Sequence, residues 1–315
     1  MKKIAFIFPG QGSQCAGMGR EFFNNYESAR NIFNKADEVL GFNLREKIFN
    51  GTEEELQKTE ITQPAVFTTS IACLEVIKEK GISAVMVAGH SLGEYSAVAA
   101  TGAMSFSDCL RLVIKRGQFI KEASEENHGT MAAIIGLSPE QVQKVCGQVN
   151  AESEEGHCAV HPVNFNSPIQ VVISGTEKGC EKALNAAKSA GAKRAIILKV
   201  SGPFHHKQFM EPARKKLIIE LEKYKIEAAG IPLVANYTAS PVVSGNDIKE
   251  ALINQINSPV LWEASILRMV KEGIEVFIEV GPGRVLTGLI KRITDKAVAL
   301  NVEDEKSLSE ALNSI

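Results

Sequence analysis

The chain has 315 residues, more than one small core requires, so its length points to a large unit plus something smaller. Its 35 Lys and Arg against 37 Asp and Glu leave a formal net charge of −2, without the positive excess of a nucleic-acid binder or a polybasic membrane-surface protein. With 44% hydrophobic and 23% charged residues, the mixture is globular rather than disordered.

In chain order, Met1-Lys2-Lys3 precedes the apolar run Ile4-Ala5-Phe6-Ile7-Phe8. That run is too short for the apolar centre of a secretory signal, and no stretch approaches the ~20 apolar residues of a membrane span. Ended by Pro9-Gly10, it reads as a strand buried on both faces. Residues 64–80 read as a helix with Val66, Ile71, Leu74 and Ile77 on one side, and 84–88 as a second buried strand. Strands separated by helices imply parallel pairing through crossover helices. Ser107-Asp108 is expected to cap a helix running to about Asn127, although the acidic stretch 122–127 also reads as a loop. Then 131–135 reads as a strand, and Ser138-Pro139-Glu140 opens a helix as cap, N1 proline and first-turn acid. A strand at 170–174, a helix at 177–190 and a strand at 194–198 follow, with a loop at 152–156. After Val200 the larger pattern resumes, with 276–280 as another buried strand. The preferred layout is an α/β protein with a large discontinuous domain, 1–127 and 200–315, interrupted by a small α+β domain at 128–199. The six cysteines Cys15, Cys73, Cys109, Cys146, Cys158 and Cys180 form no CxxC pair. Neither a zinc knuckle nor a disulfide framework is indicated, and a cytoplasmic protein with reduced thiols is expected.

Gly89-His90-Ser91-Leu92-Gly93 directly follows the strand at 84–88 and precedes a helix-compatible segment, 94–101. This is Gly-x-Ser-x-Gly in the strand–turn–helix setting that makes the serine a nucleophile. The turn is so sharp that side chains two residues either side of Ser91 would collide, hence glycine at both places. A glycine-rich turn with an incidental serine would look alike, but the apolar strand ahead favours the chemical reading. A serine needs a base. Of six histidines, His157 and His161 stand four apart, but Pro162 argues against a helical metal pair, and His128 lies in a polar, solvated loop. His205 and His206, in Ser201-Gly202-Pro203-Phe204-His205-His206, follow a strand end, where catalytic groups of α/β folds sit.

Arg116 has Leu112, Val113, Phe119 and Ile120 on its own helical face. A guanidinium on an apolar face needs an anionic partner, and its planar fork suits a carboxylate, either a structural Asp or Glu or one carried by a substrate. Gln255 likewise lies in line with Ile248, Ala251 and Leu252, a buried amide in need of partners.

These segments, with Phe8-Pro9-Gly10-Gln11-Gly12-Ser13-Gln14, Gly93-Glu94, Lys115-Arg116-Gly117, Gly129-Thr130-Met131-Ala132-Ala133, Asn164-Phe165-Asn166-Ser167-Pro168, Gln255 four before Pro259-Val260, Trp262 and Val280-Gly281-Pro282-Gly283, run in order over nearly the whole chain. The set resembles the malonyl-CoA:acyl carrier protein transacylase family. The resemblance implies a hydrolase-like parallel-sheet domain with an inserted ferredoxin-like α+β domain. It implies Ser91 as nucleophile and His205 as base, with the main-chain carbonyl of Gln255 orienting the histidine in place of a triad carboxylate. Gln11 and the Leu92 N–H would form the oxyanion hole. Arg116 would hold the malonyl carboxylate, with Asn166, Phe204 and His90 also at the substrate, and Phe204 as the bulky residue that disfavours a methyl branch. One spacing departs from the family: Met210, which begins Met-Glu-Pro-Ala, is five residues beyond His205 and four beyond His206. Counting back from it picks His206, whereas the preceding Ser-Gly-Pro-Phe picks His205, which is preferred. The implied reaction moves a malonyl group from malonyl-CoA to the phosphopantetheine thiol of acyl carrier protein for fatty acid biosynthesis, with no cofactor or metal, no nucleic-acid or membrane partner, and a monomeric chain. The alternatives are a trans-acting acyltransferase of a polyketide synthase, a serine esterase or thioesterase, and a non-catalytic carrier-binding module.

Overall fold

The computed structural model describes residues 2–152 and 159–315. His157, Cys158 and all but the first residue of the expected loop at 152–156 lie outside the described residues. Six strands form the larger sheet: β1 (Ile4–Phe8), β2 (Met86–Gly89), β7 (Leu233–Val234), β8 (Pro241–Val242), β9 (Val276–Val280) and β10 (Val298–Val302), in the spatial order β10-β9-β1-β2-β7-β8. Every pairing is parallel except β7 with the edge strand β8. Successive residues of a strand face opposite sides, and here both sides are covered. Phe6 and Phe8 of β1 join one apolar cluster while Ala5 and Ile7 join another; in β9, Val276 and Ile278 face one and Phe277 the other. Double burial is why these strands read as unbroken apolar runs.

The second sheet is built from β3 (Thr130–Ile135), β4 (Val160–Ser167), β5 (Gln170–Gly175) and β6 (Arg194–Ile197), all antiparallel in the order β4-β5-β3-β6. With the helices Pro139–Ala151 and Glu177–Ser189 the chain runs β-α-β-β-α-β, a ferredoxin-like path. Those helices bury Val142, Val145, Cys180 and Ala183 against Ala132, Ile134, Val171 and Ile173 on one face. On the other face Met131, Ala133, Val163 and Val172 pack with Leu198, Val200 and Phe204 toward the larger sheet. The result is a mixed α/β architecture with a parallel-sheet core and a separate antiparallel sheet.

Four local readings are corrected. Strand β4 was not anticipated from residue patterning, because Pro162 interrupts it and its register shifts at Pro162/Asn164 and Phe165/Ser167, destroying simple alternation. That strand also ties the two sheets together: Phe165 N–H donates to the Val260 carbonyl (2.9 Å) and Val260 N–H to that of Val163 (2.8 Å). The helix Phe106–Glu126 is capped by Ser105, whose Oγ accepts the Asp108 N–H, and not by Ser107. It runs through the acidic stretch 122–126, where no loop forms. The helix expected from residue 64 begins at Thr59 instead, with Pro64 inside it. Proline prefers a helix's first position, which hid a preceding turn that carries two residues of the site below.

Candidate active site

The parallel strands β1 and β2 end side by side, with Phe8 opposite Gly89, and the chain turns from Gly89 into the helix Gly93–Ala100. Ser91 sits at the apex with φ of 51°, a left-handed conformation that costs a non-glycine residue energy. A Cβ on Gly89 would collide with the Gly93 carbonyl, and one on Gly93 with the Phe8 carbonyl. Both contacts are backbone on backbone and have no side chain that can move aside. Gly93→Ala is therefore expected to lower the melting temperature by more than about 5 °C and to abolish acylation of Ser91, as thermal denaturation and intact-mass analysis would show.

Ser91 Oγ lies 2.7 Å from His205 Nε2. His205 Nδ1 is 2.9 Å from the main-chain oxygen of Gln255, which accepts only, so Nδ1 carries the proton and Nε2 offers its lone pair to the serine. His205 is itself in the left-handed region (φ 61°). Burial, with the Arg116 charge second, holds its imidazole down at about 3, which keeps the ring neutral with its Nε2 lone pair toward the serine hydroxyl. His206 is turned away: fully buried, it stacks on Phe209 with ring centroids 4.1 Å apart and lies 5.0 Å from the His161 ring. Of the two histidines left open by spacing, it is His205 that reaches Ser91.

Arg116 is 2% exposed. Its Nη1 donates to Gln63 Oε1 (2.6 Å), and its Nη2 to Gln255 Oε1 (3.0 Å) and Ser91 Oγ (3.1 Å). Its guanidinium carbon lies 5.3 Å from the centre of the Tyr95 ring. All of these oxygens are neutral, so the structural ion pair considered for this residue is absent among the described residues. The guanidinium faces the nucleophile with a positive charge that no contacting carboxylate balances. Gln63 comes from the helix Thr59–Glu79, which approaches closely because Gly117, beside Arg116, faces the backbone of Thr59 and Glu60.

Gln11, just beyond β1, lines the same cavity as Ser91, Leu92, Arg116, Phe204 and His205. Its Oε1 accepts the Thr59 hydroxyl at 2.6 Å, which leaves the amide NH₂ as the free end. The Leu92 N–H donates to no protein group among the described residues. His90 Nε2 donates to Asn166 Oδ1 (2.8 Å), and both line the adjoining part of the cleft between the sheets. Leu198, Val200 and Phe204 form the apolar wall opposite the serine.

Sequence reasoning missed Gln63, Thr59, Asn236 and Glu94. Asn236 accepts the Ser91 N–H on its Oδ1 (2.8 Å) and donates from Nδ2 to the Gly89 carbonyl (2.6 Å), bracing the turn. It follows β7, and nothing in its neighbourhood in the chain marks it. Glu94 did carry a signal, as the one acid in the helix segment Gly93–Ala100.

A serine on a strand–helix elbow, within hydrogen-bond reach of a histidine held by a main-chain carbonyl, is an arrangement able to form and break acyl esters, and a buried guanidinium lining the same cavity is able to pair with a carboxylate. The class is that of serine-dependent acyltransferases. The chain belongs to the acyl transferase domain family, which matches residues 5–310. It is 47% identical over 315 residues to the malonyl CoA-acyl carrier protein transacylase of Bacillus subtilis, covering 100% of this chain and 98% of that protein. It is 44% identical over 313 residues to the enzyme of the same name from Escherichia coli K12, covering 99% of each. Its structure superposes with a TM-score of 0.94, at 41% identity and with 99% and 100% of the two chains covered, on a malonyl-transacylase solved in complex with its type II PKS acyl-carrier protein.

Proposed function

We propose that the protein transfers the malonyl group of malonyl-CoA to the phosphopantetheine thiol of an acyl carrier protein, through an ester on Ser91. The observation that carries this reading is the buried Arg116 guanidinium, hydrogen-bonded to the nucleophile itself and to otherwise neutral oxygens. A malonyl thioester brings the missing carboxylate, which takes the place of the serine hydroxyl on Nη2 and so directs the thioester carbonyl toward Oγ. Ser91 Oγ then attacks that carbonyl as its proton passes to His205 Nε2, and the Gln255 carbonyl stabilises the imidazolium through Nδ1–H. The oxyanion is received by the Leu92 N–H at the helix start and by the Gln11 amide NH₂. As the tetrahedral adduct collapses, the C–S bond breaks and the CoA sulfur takes the proton from His205. The carrier thiol then enters the same position, gives its proton to His205 and attacks the ester carbonyl, and Ser91 Oγ leaves with that proton. The chemistry rests on side chains and backbone alone, with no resident cofactor. Asn166 holds His90 in the wall of the cleft, and Phe204 narrows the space beside the acyl chain.

Intact-mass measurement after mixing with malonyl-CoA is expected to show a malonyl-sized adduct that is lost in Ser91→Ala and discharged by phosphopantetheinylated acyl carrier protein. Rapid release of free malonate would instead support an esterase. We place the reaction in the cytoplasm, in fatty acid biosynthesis. Cys15, Cys73, Cys109, Cys146 and Cys180 are all free, which suits a reducing compartment, and no helix among the described residues is long and apolar enough to cross a membrane. The likeness to a transacylase bound to a polyketide carrier favours a second reading, service to a polyketide synthase. Relative kcat/KM toward fatty-acid and polyketide carrier proteins separates the two.

A further inference from the structure

The proposed transfer uses no carboxylate of the protein, yet Glu94 lies fully buried within the same cluster. It stands three residues after Ser91, on the first turn of the helix Gly93–Ala100. Its Oε1 accepts the Asn236 backbone N–H (3.1 Å) and its Oε2 the Gln255 side-chain NH₂ (2.6 Å). These two residues grip the elbow from both ends, Asn236 at the Ser91 N–H and Gln255 Nε2 at the Ser91 carbonyl (2.6 Å). A carboxylate accepts and cannot donate. The Glu94 carboxylate and the Ser91 carbonyl, neither of which can donate, therefore hold the Gln255 NH₂ between them, which leaves Oε1 facing Arg116 Nη2 at 3.0 Å. The chain Glu94–Gln255–Arg116 thus has a single polarity, with the acid at one end and the substrate-facing guanidinium at the other.

We propose that Glu94 is a positioning residue for recognition of the malonyl carboxylate: by anchoring the Gln255 amide NH₂ together with the Ser91 carbonyl, it places the Oε1 that aims the Arg116 guanidinium at the acyl group. This deepens the transfer reading above and rests on it. A role confined to packing would affect every acyl thioester alike. A positioning role affects the one that calls on Arg116.

Glu94→Gln keeps size and shape but must set its NH₂ against the Asn236 N–H, which is main chain and cannot turn, or against the Gln255 amide. Gln255 then has to shift its NH₂ away from residue 94, because turning over would set Oε1 against the Ser91 carbonyl and NH₂ against Arg116; either way the Oε1 that receives Arg116 Nη2 is displaced. In single-turnover loading of Ser91, the KM for malonyl-CoA is expected to rise about tenfold, while kcat/KM for the uncharged acetyl-CoA changes by less than about threefold. Equal losses for the two thioesters, or an unchanged malonyl KM, would overturn the role.

A measurement on the wild-type enzyme does not depend on the variant folding. Protonating Glu94 creates the same donor conflict, and burial pushes its carboxyl up to about 7. The charged and titratable groups that face it are Arg116, Tyr95 on its own helix and Tyr237 beyond β7. Burial pushes both tyrosines upward, away from that range. The malonyl-to-acetyl ratio of kcat/KM, in which the shared base cancels, is expected to fall several-fold as pH drops from about 8 to about 6 and to be flat in Glu94→Gln. A flat wild-type ratio would count against the role of Glu94 alone, with malonyl loading intact. A wild-type enzyme that loads no malonyl would remove the transfer reading and this role together.

Discussion

Arg116→Ala is expected to lower kcat/KM for malonyl loading by about 10²–10³-fold while leaving acetyl loading within a few-fold of wild type. In the free enzyme the guanidinium is buried, and its hydrogen bonds end on Gln63, Gln255 and Ser91. None of these carries a charge, and burial lowers the arginine's pKa even though Tyr95 and the more distant Glu94 act against it. A malonyl carboxylate completes an ion pair in that place. An acetyl group does not, and binds leaving the guanidinium as unsatisfied as before. The difference between the two thioesters is then of the size of a buried charge pair, about 3–4 kcal/mol. Arg116→Lys retains the charge but loses the planar fork, and an intermediate loss is expected. Parallel kinetics with both thioesters are the check, and equal losses would show that Arg116 serves the fold or the nucleophile rather than the acyl group.

His205→Ala is expected to slow Ser91 acylation by about 10³–10⁴-fold with either thioester. The adduct should accumulate to the same end point in that variant, only later. The pH profile distinguishes this base from an exposed imidazole. Burial first, and Arg116 second, hold His205 down at about 3 from an ordinary 6.5. The neutral form therefore persists through physiological pH, and acetyl loading, which does not call on Arg116, is expected to be level from about pH 6 to 8. An acid limb near 6.5 would place the working base in a solvated site instead. The same shift carries a stability term. The unfolded chain binds this proton before the folded one does, so the contribution of His205 to stability is lost as pH falls from 6.5 toward 3. His206, lowered to about 4 by burial, acts in the same direction.

Much of the fold was legible in residue patterning where burial is two-sided. The runs that became β1, β2 and β9 stand out because both faces of each strand are covered. The helices of the second sheet were legible as well, one of them from its Ser138-Pro139-Glu140 start. Strand β4 was not legible from its own pattern, since an internal proline and two register shifts erase the alternation. The turn at 59–63 was hidden for a different reason: Pro64 suggested a start, and only packing against Arg116 and Gln11 shows that the helix continues back through Thr59.

By itself the sequence determined that Ser91 stands on a sharp strand–helix turn, because the glycines two residues to either side are a local steric demand. It also determined that Arg116 and Gln255 lie on buried helix faces, because the 3.6-residue period places them among apolar neighbours. Those are properties of short segments. Only the tertiary structure showed which of His205 and His206 reaches Ser91, since the two spacings in the sequence point to different residues and adjacent side chains differ in which way each is sent. It alone decided that Arg116 meets neutral oxygens, that Gln63 and Asn236 brace the site, and that Glu94 accepts the Gln255 amide NH₂. Each of these is a contact between residues far apart in the chain, and a hydrogen bond's polarity is settled by which donor and acceptor the fold brings face to face.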